Sequence, residues 1–526
     1  MYKHLIILRI ITSVLILFIT RTINGQALSS GQIDSLIAKT MTTMPLAGIA
    51  VAVVKDGKVI HSKGYGVTSA KTKEKTDENT LFAIASNSKA FTATALGILV
   101  DEGKLTWHDK VVDYIPEFKM YDPYVTANFN IQDLLTHRSG LGLGAGDLMF
   151  FPDGANFTIK DVAKSFQYQK QTSAFRTKFD YDNLLYIIAG EVIARVSGMS
   201  WSDFVETRIM KPLGMERSIG IYQNLKEKKN AASGHSVVKD ELKIVAPVTE
   251  PIIGAAGGIY ASVNDLSKWM LMHLNNGKYG EGNKLQLIST ENHNELWKPH
   301  TNLGFTVVPQ SPNKTHFRAY GLGWFLNDQN GFVIASHTGG LPGMLSKITL
   351  VPELNLGVVV LTNTDPGGYS FQSISQSIVD SYLGLKKTDY ITRYSKIIKE
   401  NQSKGDSVTN AVWATVKAAK ADKLKLESFT GTFRDNWFGD VKITLKDGQL
   451  WFASLRSPKL SGKMSYYKAN SFAIHWDYQD MECDAFAIFS LDEEGNATGI
   501  HMKGVSPNID FSFDFQDLDF HKVVNP

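Results

Sequence analysis

Between Ala90 and Val100 the chain offers only small or apolar side chains, the composition of a helix buried on every face, yet it enters that helix through Ser86-Asn87-Ser88-Lys89. Burying an ammonium group costs several kcal/mol unless its charge is lost or matched, so the lysine needs a reason. A serine in the first helical turn has its hydroxyl near unpaired backbone N–H groups at the positive end of the dipole. A lysine three residues on shares its face. Once desolvated, that lysine gives up its proton more readily and becomes a general base for the hydroxyl. The S-x-x-K pattern also occurs at Ser236 to Lys239, Ser311 to Lys314 and Ser465 to Lys468. Those serines lie in polar loops or a strand-rich stretch, and only Ser86 starts a buried helix.

Two further constellations stand out. In "FDYDNLLYIIAGEVI", Tyr181 and Asn183 precede an apolar helix; read alone, the same residues are a helix cap beside a packing tyrosine. In "HTGGLPG", His337 to Gly343, one strand ends and another starts. Its plain reading is a glycine turn, but paired glycines also let a substrate approach main-chain N–H groups, which then act as an oxyanion hole.

At 526 residues the chain exceeds one typical core, and the pattern changes along it. Lys3 and Arg9 precede the apolar run Ile10 to Ile19, with Gly25 and Ala27 after it, the layout of a secretory signal peptide. We expect a leader over 1–25 and a periplasmic or secreted protein. "SSGQIDSLIAKTMTTM" reads as an amphipathic helix and "AGIAVAVVKDGKVIHSKGYG" as two strands about an Asp56-Gly57 turn. Leu81 to Asn275 is mostly helical in pattern, strands return in "GFVIASHTGG", "MLSKITLVP" and "LGVVVLTN", and a helix follows near Phe371 to Leu383. A larger mixed domain is expected over 26–385, a Lys-rich helical linker over 386–426, and a small all-β domain with period-two alternation and Asp-Gly turns over 427–526. The part ending near Leu385 is expected to keep the reactivity of Ser86 when the rest is removed. A formal charge of +3 gives no field for nucleic acid. Cys483, the single cysteine, excludes an internal disulfide framework and reads as strand packing.

In their order, S-x-x-K, then Y-x-N, then H-x-G, these motifs resemble the serine β-lactamase and penicillin-binding protein superfamily, in the branch of class C β-lactamases, D-aminopeptidases and related esterases. "LLTHRSGLG", "GAAGGIYASVNDLSKWM" and "YGLGWF" match its habits too. The resemblance spans roughly Ile33 to Leu383. It implies an α/β (α+β) fold, an antiparallel sheet flanked by helices with a helical subdomain, and the site at their junction. The C-terminal strands resemble a lipocalin-like barrel. Carried over by position, Ser86 is the nucleophile, with Lys89 and Tyr181 as the proton-transfer groups and the choice of base between them open. Asn183 orients Lys89 and the substrate, Thr338 and Gly339 belong to the substrate-binding strand, and the N–H groups of Ser86 and Gly340 form the oxyanion hole. No metal or other cofactor is implied. The partners implied are a small-molecule or peptide substrate and a possible homo-oligomer, with no membrane span after processing.

One departure bears on substrate. No K-T-G occurs, and His337 stands where the lysine would be. Histidine is mostly neutral at pH 7, titrates near ~6–7, and is a weaker partner for a carboxylate than a lysine cation. The resemblance then favours a peptidase acting on D-amino acid peptides or a carboxyl-ester hydrolase over a class C-like β-lactamase or D-Ala-D-Ala carboxypeptidase. A penicillin- or muropeptide-binding sensor with little turnover is the alternative of another class.

Overall fold

The computed structural model describes residues 27–225, 229–238, 241–308, 313–365, 367–419 and 424–524. The expected leader over 1–25 lies outside them. Helix α1 (Ser30–Thr43) opens with a capping box in which Ser29 and Gln32 satisfy each other's N–H groups. Strands β1 (Gly48–Lys55) and β2 (Lys58–Gly66) follow, joined by Asp56 and Gly57, both at positive φ (50° and 77°) as a two-residue hairpin of the right twist requires.

Between these strands and the rest of their sheet lie three long helices, α2 (Ser88–Asp101), α3 (Leu184–Ser197) and α4 (Val263–Leu274). The helical pattern expected from Leu81 to Asn275 holds for these. The stretch from 102 to 183 is mostly turns and one- or two-turn helices, because Gly, Pro, Asp and Asn punctuate it. The sheet is completed by β3 (Thr301–Phe305), β4 (Phe317–Tyr320), β5 (Phe325–Gln329), β6 (Phe332–Leu341), β7 (Met344–Val351) and β8 (Leu356–Thr362). It is antiparallel throughout, in the order β2-β1-β8-β7-β6-β5-β4-β3, so the first strand pairs with the last, Val51 opposite Val360.

Both sheet faces are covered, which explains the unbroken apolar run of β1. Ile49, Val51 and Val53 pack with Val358 and Val360 beneath α1 and α5 (Gly368–Tyr382). Ala50, Ala52 and Val54 join the larger core around α2 and α4. Helix α6 (Tyr390–Ala418) runs next and sets Val412 against Ala473, Phe486 and Val505.

The remaining strands, β9 (Gly431–Asp435), β10 (Gly439–Lys446), β11 (Gln449–Ser454), β12 (Ser461–Lys468), β13 (Ser471–Trp476), β14 (Ala485–Leu491), β15 (Ala497–Gly504) and β16 (Asp519–Lys522), form a closed antiparallel barrel. Its interior is filled by rings, among them Phe433, Phe452, Phe472, Trp476 and Phe489, each buried. Cys483 is buried too, but in the loop before β14 rather than on a strand. Among the described residues no single helix is long and apolar enough to cross a membrane.

Candidate active site

From Leu81 to Leu99 every residue is buried except Ser86, which is half-buried. It sits in a tight turn, Ala85–Asn87, that runs into α2. Ala85 takes a left-handed conformation (φ 48°), which costs a residue with a Cβ of order 1 kcal/mol. Packing holds the turn in place: Ser346 Oγ on β7 donates to the Ile84 carbonyl (2.6 Å) and accepts from Asn87 Nδ2 (2.7 Å). Gly339 on β6 closes the other side. A Cβ there would lie 2.1 Å from Ile84 O and 2.9 Å from Ser86 N, so only glycine lets the strand approach this closely.

Lys89 is completely buried, and its Nζ meets three oxygens: Asn183 Oδ1 at 2.7 Å, the Ala256 carbonyl at 2.9 Å and Ser86 Oγ at 3.1 Å. The first two can only accept. A neutral amine gives its two N–H bonds to them and turns its lone pair to Ser86, the arrangement a base for that hydroxyl needs. Burial pulls the Lys89 pKa down to about 7, against the opposing pull of Asp147 and Asp182.

Tyr181 lines the cavity together with Ser86, and its ring lies 4.8 Å from Lys89 Nζ, centroid to atom. Burial pushes its phenol well above the usual range, so it is protonated. Asn183 occupies the start of α3 without capping it. That task falls to Asp182, whose Oδ1 accepts from the Leu185 N–H (3.3 Å), leaving the Asn183 amide for Lys89.

On β6 the side chains alternate. Thr338 and Gly340 are exposed and line the cavity, while Gly339 faces the nucleophile turn and His337 the cavity floor. The His337 ring stands among Tyr320, Tyr181 and Phe325. Its Nδ1 lies 2.6 Å from the Thr338 carbonyl and so carries the proton, and its Nε2 accepts from Tyr320 Oη at 3.0 Å. Both nitrogens are engaged. Burial, helped by the nearby Lys89, drops its pKa to about 3, which corrects the expectation of titration near neutrality. A buried imidazole loses more from desolvation than position along a sequence reveals.

The cavity over Ser86 measures about 310 Å³. Part of its wall comes from the barrel: Met481 and the run Asp510, Phe511, Ser512. The Phe511 ring meets Tyr181 edge-on at 6.0 Å. The cavity wall is thus shared with the barrel, while Ser86, Lys89, Tyr181 and Asn183 all precede Leu385. Spacing could not show the shared wall, because Ser86 lies in a turn of the hydrolase part and Ser512 in a barrel loop more than 400 positions away, joined only by tertiary packing.

Sequence reasoning also missed His137, Asp147 and Asp365. His137 sits in the quoted "LLTHRSGLG"; it is buried, its ring 4.2 Å from that of Tyr181. Asp147 carries a weaker cue, a lone acid in an apolar and glycine-rich stretch. Of the competing S-x-x-K matches, Ser465 and Lys468 lie on barrel strand β12, while Lys239 and Ser311 fall outside the described residues.

Comparison with known proteins agrees with this architecture. The family model described as Beta-lactamase matches residues 33–381, and one described as a domain of unknown function (DUF3471) matches 415–522. The unguisins hydrolase ungD' of Aspergillus campestris is 26% identical over 412 residues, covering 76% of this chain and 74% of that one. The octameric penicillin-binding protein homologue from Pyrococcus abyssi superposes with a TM-score of 0.59 at 20% identity, over 94% of this chain and all of that one. A class C β-lactamase gives 0.52 at 22% identity, over 67% and 94%. Because one family model runs from α1 to α5, enclosing both faces of the sheet and the turn that bears Ser86, the chain belongs to the β-lactamase family of serine hydrolases.

Proposed function

We propose that this hydrolase works through an acyl-enzyme on Ser86 and cleaves peptide or carboxyl-ester bonds, with D-amino acid peptides and simple esters as its substrate classes. The observation that carries the reading is the placing of Lys89, with two N–H bonds spent on carbonyl oxygens and the third direction toward Ser86 Oγ. As Ser86 Oγ bonds to the substrate carbonyl carbon, its proton passes to Lys89. The carbonyl electron pair becomes an oxyanion, held by the N–H groups of Ser86 and Gly340, where one donor is worth about 3 kcal/mol. Collapse expels an amine or alkoxide, which is protonated by Tyr181, and Tyr181 recovers its proton from the Lys89 ammonium, which returns Lys89 to the neutral amine. Water then gives a proton to the same pair, attacks the acyl carbon and returns Ser86 to its hydroxyl form. Of the two groups left open by the sequence, Lys89 suits the base because its pKa falls toward neutrality while that of Tyr181 rises.

The cavity's charge supports the substrate class. The charged side chains among its lining residues are Asp365 and Asp510, both acids. A carboxylate-bearing β-lactam would enter against them, and His337 supplies no cation to offset them. An ammonium group or an uncharged ester meets no such barrier. Export is part of the proposal and rests on the leader-like sequence.

The test compares wild type, Ser86→Ala and Ser465→Ala on p-nitrophenyl esters, D-amino acid p-nitroanilides and a chromogenic cephalosporin, together with fluorophosphonate labelling. Ser86→Ala should lose turnover and labelling, and Ser465→Ala should keep both. A dominant cephalosporin rate, or labelled Ser86→Ala, would refute the reading.

A further inference from the structure

Lys89 is held by an amide, and an amide can face either way. Its oxygen must point to Nζ for the lysine to be held as described; the ammonium form favours that, but the neutral amine, whose lone pair can accept from an amide NH2, does not enforce it. What enforces it lies on the far side of Asn183, whose Nδ2 donates to Asp147 Oδ2 at 2.8 Å. Burial raises the Asp147 carboxyl well above its usual range, and with any proton on the unpartnered Oδ1 the Oδ2 that meets Asn183 can only accept, so this bond fixes the other end of Asn183 as oxygen. Asp147 is itself completely buried, and its Oδ1 has no hydrogen-bond partner. Packing alone gains nothing from such an oxygen.

Asp147 is in turn held from the barrel. Ser512 Oγ donates to the same Oδ2 at 2.9 Å. Two residues on, Asp514 accepts the N–H groups of Gly146 (2.7 Å) and Leu148 (3.0 Å), pinning the backbone on both sides of Asp147. A hydrogen-bonded line thus runs from the barrel loop through Ser512, Asp147 and Asn183 to Lys89 and Ser86, across 365 positions of sequence at its first link.

We propose that Asp147 is the positioning residue of the lysine, acting through the orientation of the Asn183 amide, and that the barrel sets it through Ser512. The proposal rests on the Ser86 and Lys89 reading above. It has a sign. Asn183 Oδ1 stabilises the Lys89 ammonium, whereas a freed amide presenting NH2 repels it and lowers the pH at which the proton leaves. The other titratable groups facing Lys89 are Tyr181, Tyr186, Asp182, His137 and His337, and the test leaves them unchanged.

The test uses the full-length chain and a fluorophosphonate, following the maximal inactivation rate and the half-saturating concentration from pH 5 to 9 for Asp147→Leu, Asp147→Asn, Ser512→Ala and Ser86→Ala, with thermal melts alongside. Asp147→Leu, which keeps volume but no acceptor, should lose about a hundredfold in maximal rate at unchanged half-saturation, with its acid limb moved to lower pH. Asp147→Asn keeps an acceptor oxygen and should stay within about threefold, while Ser512→Ala should fall about tenfold. A folded Asp147→Leu with wild-type rate and limb overturns the proposal. So does Asp147→Asn as slow as Asp147→Leu, because charge rather than amide orientation would then be at work. Should Asp147→Leu fail to fold, Ser512→Ala decides: a tenfold loss supports the link and a wild-type profile overturns it. Labelling that persists in Ser86→Ala overturns the nucleophile and this proposal with it. Wild-type behaviour of the Asp147 and Ser512 variants beside an unlabelled Ser86→Ala overturns this proposal alone.

Discussion

Two buried bases stand at the site, Lys89 against Ser86 and His337 in the cavity wall, and burial sends their titrations to different places. Lys89, lowered to about 7, is the one that titrates near neutrality, while His337, lowered to about 3, stays neutral through the working range. Activity carried by free Lys89 should therefore rise about tenfold per pH unit below roughly 7 and level off above it. His337→Gln, which can still accept from Tyr320, should keep that limb in place whatever it does to the rate. Ester hydrolysis from pH 5 to 9 for both proteins checks this, and a limb that vanishes in His337→Gln would assign it to the histidine. Ser86, Lys89, Tyr181 and Asn183 were legible because each stands beside an apolar helix whose burial is written in its own sequence. The His337 environment was not legible, since Tyr320, Phe325 and Tyr181 reach it from three separate segments. Nor was Asp147, whose partners Asn183 and Ser512 come from a helix start and a barrel loop.

Strand β6 is where backbone geometry meets chemistry. It passes so close to the nucleophile turn that a single methyl at position 339 would overlap backbone atoms of Ile84 and Ser86, which cannot swing aside as a side chain can. Gly339→Ala should fold, because the sheet retains its pairing on both sides, but β6 must shift by an ångström or so at Ser86. A displacement of that size costs about a hundredfold in rate. Fluorophosphonate labelling with a thermal melt checks it, and near-wild-type labelling would mean that the turn yields instead. At this scale the strands were the legible part, since period two, Asp-Gly turns and the all-apolar β1 each point to one structure. The segment from 102 to 183 was less so. Its apolar residues are spaced for burial, yet its glycines, prolines and short polar side chains divide them among turns, and periodicity does not say which influence wins.

Barrel and hydrolase share one continuous apolar core and several specific contacts. Phe151 meets Phe513 at 4.9 Å, the Arg456 guanidinium lies 3.9 Å from the centre of the Phe157 ring, and the same arginine pairs with Asp161 at 2.9 Å. Calorimetry of the full chain should accordingly show a single unfolding transition. Two well-separated transitions would mean that each part holds its own stability. The barrel's all-β character was legible from its alternation; its seat on the active site was not, because complementary surfaces leave no period in either sequence. The pairing of β1 with β8 has a consequence in time. Lys55 and Leu356, partners at the end of that ladder, are about 300 residues apart. At roughly 5–20 residues per second a ribosome takes about 15–60 s to cover that distance. For all of it β1, apolar on both faces, lacks its central neighbour and stays exposed until the last strand of the sheet emerges.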